Sequence, residues 1–358
     1  MYAILMAGGV GTRFWPMSRK AYPKQLLSFG GSKSMLQQAY ERIKPLITHD
    51  KIIVVTNSEL RKEVAKQLPD IPSENIISEP EGRNTAPCIG LAATIIAKKS
   101  SEKEIMVILP ADHIVSRLSN FRNTIQSGVA FAEKTNCLIT LGIEPSYPET
   151  GYGYIQIKDK IEAKKGKDIY RVRTFAEKPN LETAERFIQS GDFLWNSGIF
   201  IWSVKAILGE MDDHLPELAE DLRLLRKYVG KNKFNKILAE IYSRTKPVSI
   251  DYGIMEVAQN VCVIKSNFLW NDLGSWEAVY KISKKDENGN VCHTKKELLI
   301  EAKNNYFYSP KKLVAAVDVK DLVVVDMDDA ILICNKDNSQ QVKVITDYLK
   351  RNKMKSYL

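Results

Sequence analysis

The sequence has few cysteines and no long hydrophobic run, and both absences restrict what the protein can be. The chain of 358 residues has only five cysteines. Their number is odd and their wide spacing fits no metal site, so a thiol-reducing compartment with buried, unreactive cysteines is the simplest interpretation. No run of about eighteen apolar residues is present, and Met1 leads into a predicted strand rather than a signal peptide. We therefore expect a cytoplasmic protein with no membrane partner.

The sequence also lacks the features of a nucleic-acid-binding protein. The formal net charge is +9, but the basic residues are scattered or lie in short runs such as Lys350-Arg351-Asn352-Lys353. No arginine-rich helix or aromatic stacking platform accompanies them. A solvated surface is the better interpretation, although the positive charge can help to attract anionic small substrates.

Two well-known glycine-rich nucleotide loops are missing as well. An apolar run, Tyr2–Ala7, precedes three glycines, Gly8, Gly9 and Gly11. Phe14 stands where a dinucleotide-binding fold requires a third Gly or Ala, and the second predicted strand leads to Asn57 rather than to an acidic residue. A P-loop would end in Gly-Lys-Ser/Thr, whereas this segment continues as Gly11-Thr12-Arg13. Both of these loop types are therefore excluded.

The glycine-rich segment instead has the composition of a phosphate-binding loop. Residues without a Cβ let backbone N–H groups approach an anion closely. Arg13 adds a forked cation and Lys24 adds a point charge, a pair that suits a triphosphate better than a neutral ligand. A purely structural glycine-rich turn is the alternative, and the two cations disfavour it.

Strands and helices alternate through the first half of the chain. The predicted strands are Ala3–Met6, Ile52–Thr56, Met106–Leu109 and Leu138–Gly142, and the predicted helices are Ser34–Lys44, Glu59–Gln67, Pro87–Lys98 and Phe121–Glu133. This alternation predicts an α/β fold with a largely parallel sheet, helices on both faces and a ligand crevice at the carboxyl ends of the strands. The glycine-rich segment and Asp112 both follow such strands, so both are expected to face the crevice.

The pattern changes twice in the second half of the chain. Short strands are predicted at Gly153–Ile157, Tyr170–Glu177 and Ile199–Trp202, and β-rich pieces follow at Glu297–Ala302, Lys312–Ala316, Leu322–Met327 and Ala330–Cys334 before a helix near Gln340–Lys350. We expect a large α/β domain over residues 1–285 and a small β domain with a terminal helix over residues 286–358.

A series of motifs, in a fixed order, covers most of the chain. They are Gly8-Gly9-Val10-Gly11-Thr12-Arg13 and Pro23-Lys24-Gln25 with Phe14-Trp15-Pro16-Met17-Ser18-Arg19 between them, Glu81-Gly82-Arg83-Asn84-Thr85-Ala86-Pro87, Pro110-Ala111-Asp112-His113, Gly151-Tyr152-Gly153-Tyr154-Ile155, Phe175-Ala176-Glu177-Lys178-Pro179, Trp195-Asn196-Ser197-Gly198-Ile199-Phe200, Ser249-Ile250-Asp251-Tyr252 and Trp270-Asn271-Asp272-Leu273-Gly274-Ser275-Trp276. Together they resemble the nucleotidyltransferases that activate sugar 1-phosphates, and the narrower pattern resembles the mannose-1-phosphate guanylyltransferases.

The resemblance implies a fold and a reaction. The fold is a mixed, mostly parallel Rossmann-like sheet flanked by helices, of the GT-A-like nucleotidyltransferase type, with a short left-handed β-helix that often serves as a dimer contact. The reaction transfers GMP from GTP to α-D-mannose 1-phosphate and yields GDP-mannose and pyrophosphate by a Mg²⁺-dependent in-line displacement. A homodimer is expected. Longer relatives carry a further isomerase domain, and this chain ends before such a domain, so isomerase activity is not expected.

The chemistry requires carboxylates that share a metal ion, because two anions must meet. The resemblance assigns this role to Asp112 and Asp272. From the residues alone, Asp112 is also compatible with a helix or turn cap, and Asp272 with a turn. His113 is expected to orient its neighbour rather than to act as a base. A phosphate monoester is already anionic, so no general base is needed.

The predicted site residues fall into three groups. The catalytic group comprises Arg13, Lys24, Asp112 and Asp272, and the GTP-binding group comprises Gly8, Gly9, Gly11, Thr12, Arg13, Lys24, Asn84, Thr85, Ala86, Pro87 and Asp112. For mannose 1-phosphate the expected residues are Gly153, Glu177, Lys178 and Asn196. A solvated ion pair at Glu177 and Lys178, and an ordinary helix cap at Asn84 or Thr85, are the alternatives.

Two other functions remain open from the sequence. One is the same reaction with another sugar 1-phosphate or another nucleotide. The other is a catalytically silent regulatory protein that binds sugar nucleotides. The presence of both the cations and the carboxylates argues against the silent protein, since a sensor needs neither a metal pair nor a triphosphate clamp.

Overall fold

The computed structural model describes residues 1–9, 11–29, 31–164 and 167–358. Val10 of the glycine-rich segment lies outside these residues. The chain forms two compact units, a first unit of Met1–Gly8 and Leu36–Trp270 and a second unit of Gly9–Met35 and Asn271–Leu358. The domain boundary at residue 285 stays a prediction. In the described residues, no helix is both long enough and apolar enough to cross a membrane.

The first unit is built on a nine-stranded sheet. Its strands are β1 (Tyr2–Ala7), β2 (Ile52–Asn57), β3 (Ile76–Glu79), β4 (Ile105–Pro110), β6 (Leu138–Ile143), β7 (Gly153–Lys164), β8 (Lys167–Glu177), β9 (Phe193–Ser203) and β10 (Val261–Ser266); β5 (Ile114–Ser116) lies outside this sheet, and β11 (Leu269–Asn271) leads into the second unit. The order is β3-β2-β1-β4-β9-β6-β10-β8-β7. The first four strands are parallel, as are β6 and β10, whereas β7, β8 and β9 run antiparallel to their neighbours. The predicted α/β class is confirmed.

Helices flank this sheet where the sequence shows apolar periodicity. Their bounds are α1 (Met35–Ile43), α2 (Arg61–Gln67), α3 (Thr85–Lys99), α4 (Leu118–Ala132), α5 (Leu181–Ser190), α6 (Val204–His214), α7 (Pro216–Arg226) and α8 (Phe234–Arg244). Helix α3 is buried over nearly its whole length, because it is apolar on every side. Gly90 permits this packing, since a Cβ there would lie 2.6 Å from Leu222 Cδ1.

The second unit contains a smaller sheet. Its elements are α9 (Trp276–Ile282), β12 (Val291–Ile300), β13 (Tyr306–Val317), β14 (Leu322–Asp326), β15 (Ile331–Asn335) and α10 (Val342–Arg351). Strands β12, β13 and β14 stack in parallel in chain order, and β15 is antiparallel to β14. Successive parallel strands joined by short connections are typical of a β-helix, as predicted. The left hand of this β-helix stays a prediction.

The N-terminal segment Gly9–Met35 packs within the second unit. The Phe14 ring lies 5.0 Å from the Phe29 ring and 5.2 Å from the Trp276 ring, as measured between centroids. Trp15 Nε1 donates to the carbonyl oxygen of Tyr357 at 2.8 Å. The glycine-rich segment is therefore anchored to residues from the other end of the chain.

The cysteines differ from the expectation. Cys88 and Cys262 are buried, but Cys137, Cys292 and Cys334 are only partly buried. The prediction that all five are buried is wrong, because Cys137 lies in the loop before β6, and Cys292 and Cys334 lie on strands that have an exposed face.

Candidate active site

The carboxyl ends of the parallel strands in the first unit form one edge of the sheet. Gly8 directly follows β1, and the loop after β4 carries Asp112. This loop is tied to β1, because Ala111 N donates to Met6 O at 3.0 Å. The predicted GTP residue Gly8 and the predicted metal ligand Asp112 therefore follow neighbouring strands at the same edge.

Asp112 has a partly exposed side chain, 37% accessible. Its neighbour His113 is oriented by Trp270, whose Nε1 donates to His113 Nδ1 at 3.1 Å. In the neutral ring this leaves the proton on Nε2, which lies 3.6 Å from Asp112 Oδ1. The geometry agrees with an orienting role for His113.

Sequence reasoning missed two charged residues near this edge. Arg42 is almost fully buried, and this desolvation lowers its pKa to about 10, although the charge of Asp112 acts in the opposite direction. Its Nη2 donates to His113 O at 2.6 Å. Glu79, 5% exposed, ends β3 and accepts a hydrogen bond from Tyr242 Oη at 3.0 Å. Burial raises the pKa of Glu79 to about 7. The sequence feature that could have identified Glu79 is its position as a charged residue at the end of an apolar run.

The predicted base-binding segment begins α3. Asn84 is the N-cap residue, and its Oδ1 accepts from Thr85 N at 2.8 Å. Thr85 Oγ1 accepts from Ile250 N at 2.8 Å, and Ala86 N donates to Val248 O at 3.1 Å. The side chains of Ala86 and Pro87 are buried, whereas Asn84 is exposed. Asn84 thus presents the accessible polar group of this segment.

The predicted sugar residues Gly153, Glu177 and Asn196 come together in the first unit. Gly153 pairs with Glu177 across β7 and β8, and a Cβ on Gly153 would lie 2.4 Å from Glu177 Oε2 and 3.4 Å from Asn196 Cβ. Lys178, which has a positive φ of 51°, forms an ion pair with Glu177. The absence of a Cβ at position 153 lets the Glu177 carboxylate lie at this place.

Asp251 also belongs to this cluster and was not assigned from the sequence. Asn196 Nδ2 donates to Asp251 Oδ1 at 2.9 Å, and Thr140 Oγ1 donates to Asn196 Oδ1 at 3.0 Å. Desolvation, together with the neighbouring charge of Glu177, raises the pKa of Asp251 to about 6. We refer to Gly153, Glu177, Lys178, Asn196 and Asp251 as the sugar-side cluster. An acidic residue within one of the recognised motifs was the feature that could have identified Asp251.

The second unit brings together another group of predicted residues. Gly11 has a φ of 64°, and a Cβ there would lie only 2.4 Å from Lys24 Cβ. The Lys24 ammonium donates to the backbone oxygen of Asp272. Thr12 and Arg13 lie in a single 3₁₀ turn, Thr12–Phe14, in which Arg13 is exposed. The cation Lys24 and the carboxylate residue Asp272 are therefore adjacent.

Asp272 lies in a specific local turn. Leu273 has a positive φ of 47°, and its N–H donates to Asn271 Oδ1 at 2.7 Å. Both carboxylate oxygens of Asp272 would lie 3.3 Å from a Cβ on Gly274. Glycine at position 274 thus leaves space for the carboxylate, which is half-buried.

The donor atoms of Asp112 and Asp272 fit Mg²⁺, because hard cations prefer carboxylate oxygens. Among the described residues there is no cluster of three or more His, Cys, Asp or Glu side chains that suits a metal. Mg²⁺ usually needs only one or two protein carboxylates, because it completes its coordination with water and substrate phosphates.

Comparisons with known proteins define the class of this one. The nucleotidyl transferase family matches residues 2–289, so the chain belongs to that family and is an enzyme of the nucleotidyltransferase class. The MannoseP isomerase/GMP-like beta-helix domain matches residues 295–349, in agreement with the parallel strands of the second unit.

The chain is similar to individual members of this family over nearly its whole length. A mannose-1-phosphate guanylyltransferase of Escherichia coli is 40% identical over 97% of this chain and 75% of its own length. One from Klebsiella pneumoniae is 39% identical over 99% of this chain and 75% of its own length. A crystal structure from Thermus thermophilus, described as a mannose-1-phosphate geranyltransferase, matches with a TM-score of 0.87 and 30% identity over 98% of this chain and 99% of that one. The family predicted from the sequence is confirmed.

Proposed function

We propose that the protein is a mannose-1-phosphate guanylyltransferase, which makes GDP-mannose and pyrophosphate from GTP and α-D-mannose 1-phosphate. The observation that carries the proposal is the sugar-side cluster, in which Glu177 and Asn196 present polar atoms beside Gly153. The 40% identity to a relative of that name over 97% of the chain supports the same substrate pair.

The reaction is a single displacement at the α-phosphorus of GTP. A phosphate oxygen of mannose 1-phosphate forms the new P–O bond, and the bond from the α-phosphorus to the bridging oxygen breaks, so that pyrophosphate leaves with its electron pair. The nucleophile is already ionised at neutral pH, so the reaction requires no general base. Bound Mg²⁺ would offset the repulsion between the two anions.

Each predicted residue has a proposed role. Asp112 and Asp272 would hold Mg²⁺, and Arg13 and Lys24 bind the triphosphate and the departing pyrophosphate. The glycine-rich segment contributes backbone N–H groups from Gly8, Gly9, Gly11 and Thr12, and the base-side segment comprises Asn84, Thr85, Ala86 and Pro87. The partly exposed Asp112 carboxylate and the bond between Lys24 and Asp272 support these roles.

We assign recognition of mannose to the sugar-side cluster. Mannose and glucose 1-phosphates differ only in the configuration at C2, so a selective site needs a polar group that one epimer leaves unpaired. Glu177 and Asn196 supply such groups, and the hydrogen bonds from Thr140 and to Asp251 hold the Asn196 amide in one orientation. Lys178 is placed to meet the sugar phosphate.

A homodimer is the assembly we propose, in the cytoplasm and without nucleic-acid or membrane partners. Apolar side chains of the second unit remain exposed by 50 to 65%; they are Leu298, Ile300, Leu313, Val317, Ile331 and Ile333. Exposed apolar side chains on one small sheet are typical of an interface. Light scattering after size exclusion should give twice the mass of 40.6 kDa; a monomer at micromolar concentration would contradict the dimer.

Pyrophosphate release over a panel of nucleotides and sugar 1-phosphates tests the proposed reaction. GTP with mannose 1-phosphate should give the highest kcat/KM, by tenfold or more over glucose 1-phosphate, as expected for one unpaired polar group. A better rate with another pair would assign the enzyme to that sugar or nucleotide. No release with any pair would favour a silent sugar-nucleotide-binding protein.

A further inference from the structure

The first unit contains a cavity that none of the residues assigned to either substrate lines. It has a volume of about 590 Å³, within the range of small-molecule sites. Three cationic side chains line it, Arg117, Lys167 and Lys265, together with the aromatic residues Trp195 and Trp270. Trp195 neighbours Asn196 on β9, but successive strand residues point to opposite faces of a sheet. The cavity is therefore separate from the sugar-side cluster.

The charges that line this cavity are not balanced. The two carboxylates are already paired: Glu144 lies 3.4 Å from Lys265 Nζ, and Asp168 lies 2.6 Å from the ammonium of Lys160. Over the described ranges of the chain, the Arg117 guanidinium has no ion-pair partner. The cavity therefore keeps the positive charges of Arg117 and Lys167.

Lys167 is the most informative of these cations. It is only 8% exposed, and its ammonium donates to the neutral amide oxygen Asn267 Oδ1 at 2.6 Å. Desolvation lowers the pKa of Lys167. A buried cation that faces a neutral amide lacks the counter-charge that normally offsets desolvation. A bound anion would supply that charge.

The cavity adjoins the residues around Asp112. Trp270 lines the cavity and donates from Nε1 to His113 Nδ1, and the two rings meet edge to face with centroids 5.4 Å apart. His113 Nε2 in turn lies 3.6 Å from Asp112 Oδ1. A ligand that moves Trp270 would therefore move His113 against the Asp112 carboxylate.

We propose that this cavity is an effector site for a nucleoside diphosphate or its sugar ester. Arg117 and Lys167 bind the phosphates, and the Trp270 indole contacts a ring of the ligand. Occupation acts on turnover through the contact between Trp270 and His113. The binding part of this proposal is independent of the proposed function, whereas the effect on turnover rests on it.

Binding is tested with GDP as the probe, by titration calorimetry of the full chain. The parent should bind two GDP molecules per chain, one in the proposed active site and one in the cavity. Arg117→Ala and Lys167→Met should each weaken the cavity site by tenfold or more and spare the other. Lys158→Met is the matched control, because Lys158 is an exposed lysine of β7 outside the cavity and should leave both sites unchanged.

A second series separates the cavity from the active site. The double variant Arg13→Ala/Lys24→Ala should retain one GDP per chain, and addition of Arg117→Ala should abolish that binding. Since Arg117 is exposed, this substitution does not endanger the fold even if Lys167→Met does. If Arg117→Ala removes no bound GDP, whether the parent binds one GDP or two, the proposal is overturned.

Kinetics test the effect on turnover. In the parent, GDP inhibition of pyrophosphate release should include a component that is not competitive with GTP. This noncompetitive component should disappear in Arg117→Ala. The rate of Arg117→Ala without GDP should equal that of the parent. Inhibition that is fully competitive in the parent would refute the effector role. If no substrate pair of the panel gives pyrophosphate release while GDP binding that depends on Arg117 remains, the proposed function fails and the cavity site stands.

Discussion

The sugar-side cluster of the first unit and the glycine-rich segment of the second unit are held in different ways. In the cluster, strand register places Gly153 opposite Glu177, and Asn196 lies on the next strand. Over its described residues, the glycine-rich segment contains no strand. It depends on 3₁₀ turns and on side chains that bind its backbone, such as Ser18 Oγ on Gly11 O at 2.6 Å and Gln25 Nε2 on Gly9 O at 2.9 Å.

This difference predicts different mechanical behaviour. A ladder of hydrogen bonds opens cooperatively, whereas a segment held by a few side-chain bonds opens locally at a lower free-energy cost. A rigid cluster suits discrimination between sugar epimers. A segment that opens locally suits the entry of a triphosphate and the release of pyrophosphate.

The largest expected effect concerns the carboxylates, one from each unit. Asp112→Asn and Asp272→Asn should each lower kcat by several orders of magnitude with the fold intact, because an amide is a poor ligand for Mg²⁺. Pyrophosphate release measures kcat, and circular dichroism measures whether the fold is intact. Asp328→Asn, an exposed surface carboxylate, is the control and should keep full activity. Near-normal turnover in either variant would remove that residue from the site, and EDTA should stop the parent reaction reversibly.

The next effect concerns the cations of the second unit. Arg13→Ala and Lys24→Ala should each cost about 2–4 kcal/mol of transition-state stabilisation, as for the loss of a charge-assisted donor. The measurement is kcat/KM for GTP. Arg186→Ala removes an exposed arginine of α5 and should leave this value unchanged. Parent-like kinetics in both Arg13→Ala and Lys24→Ala would refute a phosphate-binding role for the segment.

A smaller effect is expected in the sugar-side cluster. Asn196→Ala and Glu177→Ala should raise KM for mannose 1-phosphate by tenfold or more and change KM for GTP little, since one buried hydrogen bond is worth about 1–3 kcal/mol. Equal changes in both KM values would show that the cluster does not serve the sugar alone.

A pair of glycine substitutions compares the two regions directly in stability rather than turnover. Gly11→Ala places a Cβ against the Lys24 Cβ at a positive φ and should lower the free energy of unfolding by about 2 kcal/mol. The close contact of Gly153→Ala is with the carboxylate end of Glu177, which can rotate, so the substitution should cost about 1 kcal/mol or less and act on sugar KM. Gly9→Ala, with no heavy atom within 4 Å of the new Cβ, is the control for urea unfolding. Equal losses for Gly11→Ala and Gly153→Ala would contradict the comparison.

The smallest expected effect is a pH dependence of stability. The folded protein raises the pKa of Asp251 from 3.8 to about 6, so its carboxyl group is more readily protonated in the fold than in the unfolded chain. This stabilisation is complete below about pH 4 and is lost as the pH rises through 6. Asp251→Asn should therefore lose less stability than the parent between pH 4 and 6 in urea titrations. Parallel curves would show that Asp251 titrates normally.

Much of the first unit follows from local sequence patterns. The four predicted strands Ala3–Met6, Ile52–Thr56, Met106–Leu109 and Leu138–Gly142 all lie inside observed strands. Strands β3, β5, β10 and β11 were missed, because β3, β5 and β11 are too short for a clear periodicity and β10 shows no alternation. The antiparallel insertion of β9 between β4 and β6 is a choice of topology, which no local pattern encodes.

The sequence by itself determined the class of protein, because glycines, cations and carboxylates at set positions along the chain are properties of the chain itself. Tertiary structure alone decided which of them meet. It brought Asp251 to Asn196, 55 positions apart, buried Arg42 behind His113, and left Lys167 facing a neutral amide. The physical reason is that desolvation and Coulomb interactions depend on distances in space, and these arise only once the strands have paired and the core has closed.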